Sequence, residues 1–201
     1  MKKKVYVVDD DAAVRDAVGM LLSIAGYEPV SFSSPEEFLG ACSQHSRGCA
    51  ILDVHMPFMD GATLQQELIR REIGLPVIFL SAYGNIPMTV RAIKAGAVDF
   101  LTKPVNANLL LERVEAAIEQ DEHRHVELEQ ARLNSSRLEN LTDRERDVMK
   151  LAVSGCSNKE IARHLGISHR TVEIHRSRVM QKTGSASLLD LARIAAEQEP
   201  D

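Results

Sequence analysis

The sequence predicts two domains: an α/β domain with a five-stranded parallel sheet and helices on both faces, then an all-α helix-turn-helix domain, joined by a helical linker. Three observations predict this. Over the first 118 residues, five short apolar runs alternate with segments of helical period, the pattern of βα units around a parallel sheet. From Glu119 a polar stretch follows without Gly or Pro. The chain carries net charge −5, yet residues 141–185 carry +4 and hold several helix-capping sequences in succession.

The apolar runs 5–8, 29–32, 50–52, 77–80 and 98–101 are the expected strands. Between the second and third, Ser34-Pro35-Glu36-Glu37 supplies an N-cap, a proline at the first helical position and a capping-box glutamate. Gly26, Gly74 and Gly96 fall where the first, third and fourth helices should stop. The fifth helix should start near Asn106, with an apolar stripe of Leu110, Leu111, Val114, Ala117 and Ile118. Its polar continuation is either an exposed helix or a flexible linker; a helix is favoured, with a break at Asn134-Ser135-Ser136. The expected division is 1–118, linker 119–137 and 138–201. In the last part, Thr142-Asp143-Arg144-Glu145 and Ser157-Asn158-Lys159-Glu160 are capping boxes, Gly155 and Gly166 are stops, and Ser168 is a further N-cap.

Composition excludes several classes. Hydrophobic residues make up 44% of the 201, too many for wholesale disorder, and no apolar run nears the ~18 residues of a membrane helix. The basic start Met1-Lys2-Lys3-Lys4 soon meets Asp9-Asp10-Asp11 and has no cleavage site, so a cytoplasmic protein with no membrane partner is expected. Cys42, Cys49 and Cys156 are odd in number and lack CxxC spacing, which indicates neither a disulfide framework nor a zinc site.

In parallel α/β sheets the functional crevice lies beyond the carboxyl ends of the strands. There this chain places Asp9, Asp10 and Asp11 after the first strand, Asp53 after the third, Ser81 after the fourth, and Lys103-Pro104 after the fifth. Crowded carboxylates raise one another's proton affinity unless a cation neutralises them, and an all-oxygen site suits Mg²⁺. Asp53 is the candidate nucleophile for phosphoryl transfer, Lys103 the counter-charge, and the Ser81 hydroxyl a hydrogen bond to a phosphate oxygen.

The segments Val7-Val8-Asp9-Asp10-Asp11, Leu52-Asp53-Val54-His55-Met56-Pro57, Leu80-Ser81-Ala82 and Phe100-Leu101-Thr102-Lys103-Pro104 resemble the signatures of response-regulator receiver domains, which are flavodoxin-like. The resemblance implies that a histidine kinase phosphorylates Asp53, that Asp10, Asp53 and the His55 backbone carbonyl ligate Mg²⁺, and that Asp9 orients the metal through water. It also implies a cis Lys103-Pro104 bond and a switch pair of Ser81 and Phe100 that reshapes the face of the fourth helix, fifth strand and fifth helix for dimerisation.

The basic segment has the layout of a helix-turn-helix. In a helix from about His169 to Lys182, Val172, Val179 and His175 should face the bundle. Arg170, Glu173, Ile174 and Ser177 should face outward, with Thr171, Arg176, Arg178 and Lys182 on the flanks. Ile174 suits a thymine methyl, and Lys159, Arg163 and Arg176 suit phosphates. The sequence from Leu141-Thr142-Asp143-Arg144-Glu145-Arg146 through Arg170-Thr171-Val172-Glu173-Ile174-His175 resembles the LuxR-type output domain. Together the two resemblances identify a FixJ/NarL-type response regulator, nearer FixJ and similar to StyR/TodT-type regulators of aromatic-hydrocarbon catabolism. They imply double-stranded promoter DNA, RNA polymerase and a phosphorylation-dependent homodimer as partners, the last helix, 188–196, contributing to the dimer. Many relatives carry a basic residue at the position of Glu173, which here can accept from a cytosine amino group instead. Two other readings stay open: a haloacid-dehalogenase-type phosphatase, which calls for an acid where His55 stands, and a DNA-binding module whose receiver-like half is never phosphorylated.

Overall fold

A computed structural model describes residues 2–82 and 86–196. Met1 of the basic start and the last five residues of the expected final domain lie outside them. The chain divides into two compact units, Met1–His125 and Val126–Asp201, each around its own core.

The first unit alternates β1 (Lys4–Val8), α1 (Ala12–Ile24), β2 (Glu28–Phe32), α2 (Pro35–Ala41), β3 (Cys49–Asp53), α3 (Gly61–Arg70), β4 (Val77–Ser81), α4 (Ile86–Lys94), β5 (Asp99–Thr102) and the start of α5 (Ala107–Glu139). All strand pairs are parallel, in the order β2-β1-β3-β4-β5. The period of two along each strand divides the core between the faces. Tyr6, Val8, Ala50, Leu52 and Phe79 meet α2 and α3, while Val5, Val7, Ile51, Ile78 and Leu80 meet α1 and the Leu110-Val114-Ala117-Ile118 stripe of α5. Central strands buried on both faces explain why those runs read as apolar without alternation.

Local signals mostly act as their chemistry requires. The Ser34 side chain accepts from the Glu37 N–H, although the Glu37 carboxylate reaches back to Ser33, at 3.0 Å from its N–H, rather than to the cap. Gly74 does not stop α3: Glu72 takes the left-handed position, with φ 56°. What Gly74 provides is room, since a Cβ there would collide with the Arg124 guanidinium. The helix expected to break at Asn134-Ser135-Ser136 runs on to Glu139. Asn134 is buried, and Gln130 Nε2 donates to its Oδ1 at 3.2 Å, so the amide oxygen that suggested a loop has a partner within the helix.

In the second unit, the C-terminal part of α5 is followed by α6 (Asp143–Val153), α7 (Asn158–Leu165), α8 (His169–Thr183) and α9 (Leu188–Ala196). Both expected capping boxes form, and Gly166 ends α7 in the left-handed region. One small core joins Leu138, Leu141, Met149, Val179, Leu191 and Ile194; another joins Val148, Ala152, Ile161 and Val172.

Glu145 ties these helices together. Its carboxylate accepts from the Thr142 N–H at 2.9 Å and from Lys182 Nζ at 2.7 Å. The bond from Lys182, reinforced by Thr142, holds its pKa down at about 2 against the ordinary 4.5. A carboxylate whose pKa falls on folding stabilises the fold above its ordinary value and loses that contribution as the pH drops toward the folded value. Glu145→Ala should therefore cost the second unit about 1–2 kcal/mol at neutral pH. In urea unfolding the gap from wild type should close as the pH is taken from about 4.5 toward 2.

Candidate functional site

The parallel sheet delivers its polar residues to one pole. Asp9 and Asp10 follow β1, Asp53 ends β3, Ser81 ends β4 and Lys103 follows β5. Asp9 and Asp53 are 2% and 5% exposed, and Lys103 Nζ donates to both, at 2.6 Å to Asp9 Oδ2 and 2.7 Å to Asp53 Oδ1. The other Asp53 oxygen accepts from the His55 backbone N–H at 2.7 Å, and Asp9 Oδ1 accepts from the Asp11 N–H at 3.0 Å. Asp10 lies beside them, exposed. Burial pushes the Asp9 carboxyl up, against the pull of Lys103. Burial works to lower the Lys103 pKa, but its bonds to Asp53 and Asp9 outweigh it and raise the pKa.

Three carboxylates against one ammonium leave the pole with spare negative charge and only oxygen donors. Among the described residues no group of three His, Cys, Asp or Glu side chains is disposed to hold a metal ion. The donor set fits Mg²⁺ all the same, since that ion typically takes one or two carboxylates and completes its shell with water.

Ser81 is fully buried at the end of β4, and its carbonyl accepts from the Lys103 N–H at 2.8 Å. Phe100 is half-buried, its ring 6.1 Å from that of Phe79, at the wall of a cavity of about 300 Å³ between α3 and α4. The Lys103-Pro104 bond is cis.

Two supports were not legible beforehand. Arg15 Nη1 donates to the carbonyls of Asp9 and Asp10, at 2.7 and 3.0 Å, and so pins the acidic turn. Gly61, at the start of α3, leaves no room for a side chain, because a Cβ would lie 2.4 Å from the Asp53 carbonyl oxygen. Arg15 belongs to no motif and betrays itself only as an arginine on the first turns of the helix after the acidic run. The Asp60-Gly61 pair does carry a signal, a cap followed by a small residue, since Asp60 Oδ1 accepts from the Thr63 N–H at 2.7 Å.

In the second unit, Val172 and Val179 are buried beneath α8, and His175 is half-buried with its Nδ1 enclosed. Arg170, Glu173, Ile174, Ser177 and Arg178 share the exposed side, Ile174 at 43%. Lys159 and Arg163 are exposed on α7. Thr171 is half-buried, its hydroxyl 2.8 Å from that of the N-cap Ser168. Two residues expected on the flanks bond to other parts of the bundle. Arg176 Nη1 donates to Asn158 Oδ1 at 2.6 Å, and Lys182 is held by Glu145. Each thereby ties α8 to a neighbouring helix.

Residues 5–115 match the response regulator receiver domain, and residues 139–195 match the luxR family of bacterial regulatory proteins. The chain is a two-component response regulator with a LuxR-type DNA-binding output. It is similar to nodulation protein W of Bradyrhizobium diazoefficiens, 42% identical over 96% of this chain and 86% of that protein. It is likewise similar to the transcriptional regulatory protein FixJ of that organism, 40% identical over 96% of this chain and 95% of that protein. The low-resolution structure of response regulator StyR superposes with a TM-score of 0.87 at 39% identity, covering 98% of this chain and 100% of that one. The regulator is thus a transcription factor rather than an enzyme; its receiver implies a histidine-kinase partner, its output domain implies DNA binding, and receivers of this kind generally bind Mg²⁺. Among the described residues no helix is long and apolar enough to cross a membrane.

Gly61→Ala must push Asp53 or α3 aside, since the obstructing atom is backbone. It should destabilise the receiver by about 1–3 kcal/mol, read as a lowered melting temperature.

Proposed function

We propose that the regulator is a phosphorylation-dependent activator of transcription. Asp53 accepts a phosphoryl group from a histidine kinase. The observation that carries this reading is the Asp9–Lys103–Asp53 bridge, in which one ammonium holds two buried carboxylates 2.6 and 2.7 Å away at the strand ends. His55 fixes one Asp53 oxygen and Lys103 the other, so the nucleophile is oriented before any donor arrives. Asp10, Asp53 and the His55 carbonyl would hold Mg²⁺, with Asp9 acting through water; when bound, the ion supplies positive charge to the phosphate oxygens. Lys103 adds charge of the same sign, and Ser81 turns its hydroxyl to the new phosphate.

Ser81 and Phe100 then act as the switch. The cavity beside Phe100 and the absence of any buried residue among those described in α4 support it, because an element with little packing to lose is the one free to shift. The reshaped face forms a homodimer, to which α9 also contributes, and the paired output domains meet two half-sites of promoter DNA. Arg170, Glu173, Ile174 and Ser177 read bases, with Thr171 and Arg178 beside them; Lys159 and Arg163 contact phosphates. Arg176, tied to Asn158, contributes to DNA binding by fixing α8 against α7. The bound dimer recruits RNA polymerase in the cytoplasm, and the resemblance to StyR/TodT-type regulators directs the search for its target to catabolic operons. The division into receiver 1–118, linker 119–137 and output 138–201 belongs to the same proposal.

Incubation with acetyl phosphate and Mg²⁺, followed by intact mass and sedimentation, tests the receiver half. Wild type should gain one phosphoryl group and dimerise, and Asp53→Asn should do neither. No modification at any Mg²⁺ concentration would favour a DNA-binding module that works without phosphate.

The output half is tested by titrating operator DNA at several salt concentrations. Lys159→Ala should weaken binding to all sequences alike and flatten the salt dependence by about one counter-ion. Ile174→Ala should leave the salt slope unchanged and relax discrimination at one base pair by about 1–3 kcal/mol.

A further inference from the structure

The loop between β3 and α3 is pinned at both ends. The His55 N–H holds Asp53 at 2.7 Å, the Gly61 N–H donates to the Val54 carbonyl at 3.0 Å, and Asp60 caps α3. Val54 and Met56 are buried, and Met59 packs on the same apolar cluster. Phe58, between the two methionines, goes the other way. At 102% exposure it is the most exposed large hydrophobic among the described residues.

Its backbone adds a second peculiarity. Phe58 has φ 67°, and the Met59 N–H closes on the Pro57 carbonyl at 2.8 Å, a three-residue turn of the positive-φ kind that strains any residue with a Cβ. Glycine would sit there without strain. A single exposed apolar side chain is ordinary. A phenyl ring held in water on a strained backbone, by a loop anchored on both sides, gains the free chain nothing. Its return must come in a complex.

Position identifies the partner. Phe58 follows the acceptor Asp53 by five residues, so chain length alone keeps it within about 18 Å. A standard interface covers about 800 Å² of each partner, a disc roughly 16 Å in radius and so comparable with that limit, which lets a protein seated over Asp53 extend to this loop. The strand ends beside it carry carboxylates, and an aromatic ring on a rigid turn adds apolar contact area for such a protein.

We propose that Phe58 is the docking anchor for the phosphohistidine-bearing domain of the partner kinase, which presents an apolar recess to receive the ring. This rests on Asp53 being the phosphoacceptor. In the transfer the P–N bond of the phosphohistidine breaks, its electron pair returning to the imidazole nitrogen, as an Asp53 carboxylate oxygen forms the new P–O bond. Phe58 touches none of these atoms and is a positioning residue. It accelerates transfer from a protein donor and leaves transfer from a small donor unchanged.

The test compares wild type, Phe58→Ala, Phe58→Gly and Phe58→Tyr as full chains with two donors. One is acetyl phosphate. The other is chosen from a panel of purified, autophosphorylated histidine-kinase cores as the one that labels wild type fastest. The Ala and Gly variants should lose about tenfold or more in kcat/KM with the kinase, as removal of an interface anchor does, while Tyr keeps most of it. All four should react alike with acetyl phosphate, and the Gly variant should melt no lower than wild type because its turn is relaxed. Unchanged kinase transfer in Ala and Gly overturns the proposal, including the case in which self-association or DNA affinity changes instead and the ring serves another surface of this protein. An equal loss with both donors also overturns it, since the damage would then lie at the acceptor. Wild type unlabelled by either donor sinks the phosphoacceptor reading itself.

Discussion

The receiver depends on keeping two buried carboxylates side by side. At a separation of 4 Å two like charges repel by about 4 kcal/mol in a surface-like dielectric, a large share of the roughly 5–15 kcal/mol that holds a domain together. Lys103 removes that burden by bonding Asp9 and Asp53 at once. The bridge requires β1, β3 and β5 to end level, which the parallel register secures by pairing Val8 with Leu52 and, through β4, Asp53 with Leu80 and Ser81 with Thr102. It also requires α3 to begin against the Asp53 carbonyl, where only glycine fits. The site is therefore a property of the whole sheet rather than of one loop.

The output unit works from the opposite material. Its cores are small and its stability leans on short-range polar devices: two capping boxes, the Glu145–Lys182 pair, and the Asn158–Arg176 bond between the two helices of the motif. Residues at caps and helix crossings need little apolar area, and so the exposed side of α8 can be left to Arg170, Glu173, Ile174, Ser177 and Arg178. Arg176 and Lys182 spend part of their charge on Asn158 and Glu145 within the bundle.

What could be read in the sequence was whatever is local or repeated. Apolar runs gave the strands to within a residue or two because central parallel strands are buried on both faces, and Thr142, Ser157 and Ser168 announced helix starts because a cap acts within three residues. The acidic pole was legible because one architectural rule sends every strand end to the same place. The failures share a cause. Gly74 reads as a helix stop, yet its neighbour is Arg124, 50 residues away, and Asn134-Ser135-Ser136 reads as a break, yet Asn134 accepts from Gln130 in its own helix. The Arg176 bond to Asn158, on another helix, is likewise a contact that no local pattern shows. Residue type shows what a side chain can bond; only the tertiary fold decides which bond it makes.

Within the receiver, firmness and slack are unevenly placed. The Asp53 carboxylate is held on both oxygens, β3 and β4 are buried throughout, and Arg15 and Gly61 lock the turns beside it. Close-packed interiors transmit strain rather than absorb it. Charge added at Asp53 would have to be relieved where atoms can move, and the cavity lined by its neighbour Val54 lies between α3 and α4 beside Phe100. Ser81 ends β4, between β3 and β5, so a rotation of its hydroxyl toward a phosphate would leave room that Phe100 and α4 are placed to use. In the proposed switch, packing density would then set the direction of the response.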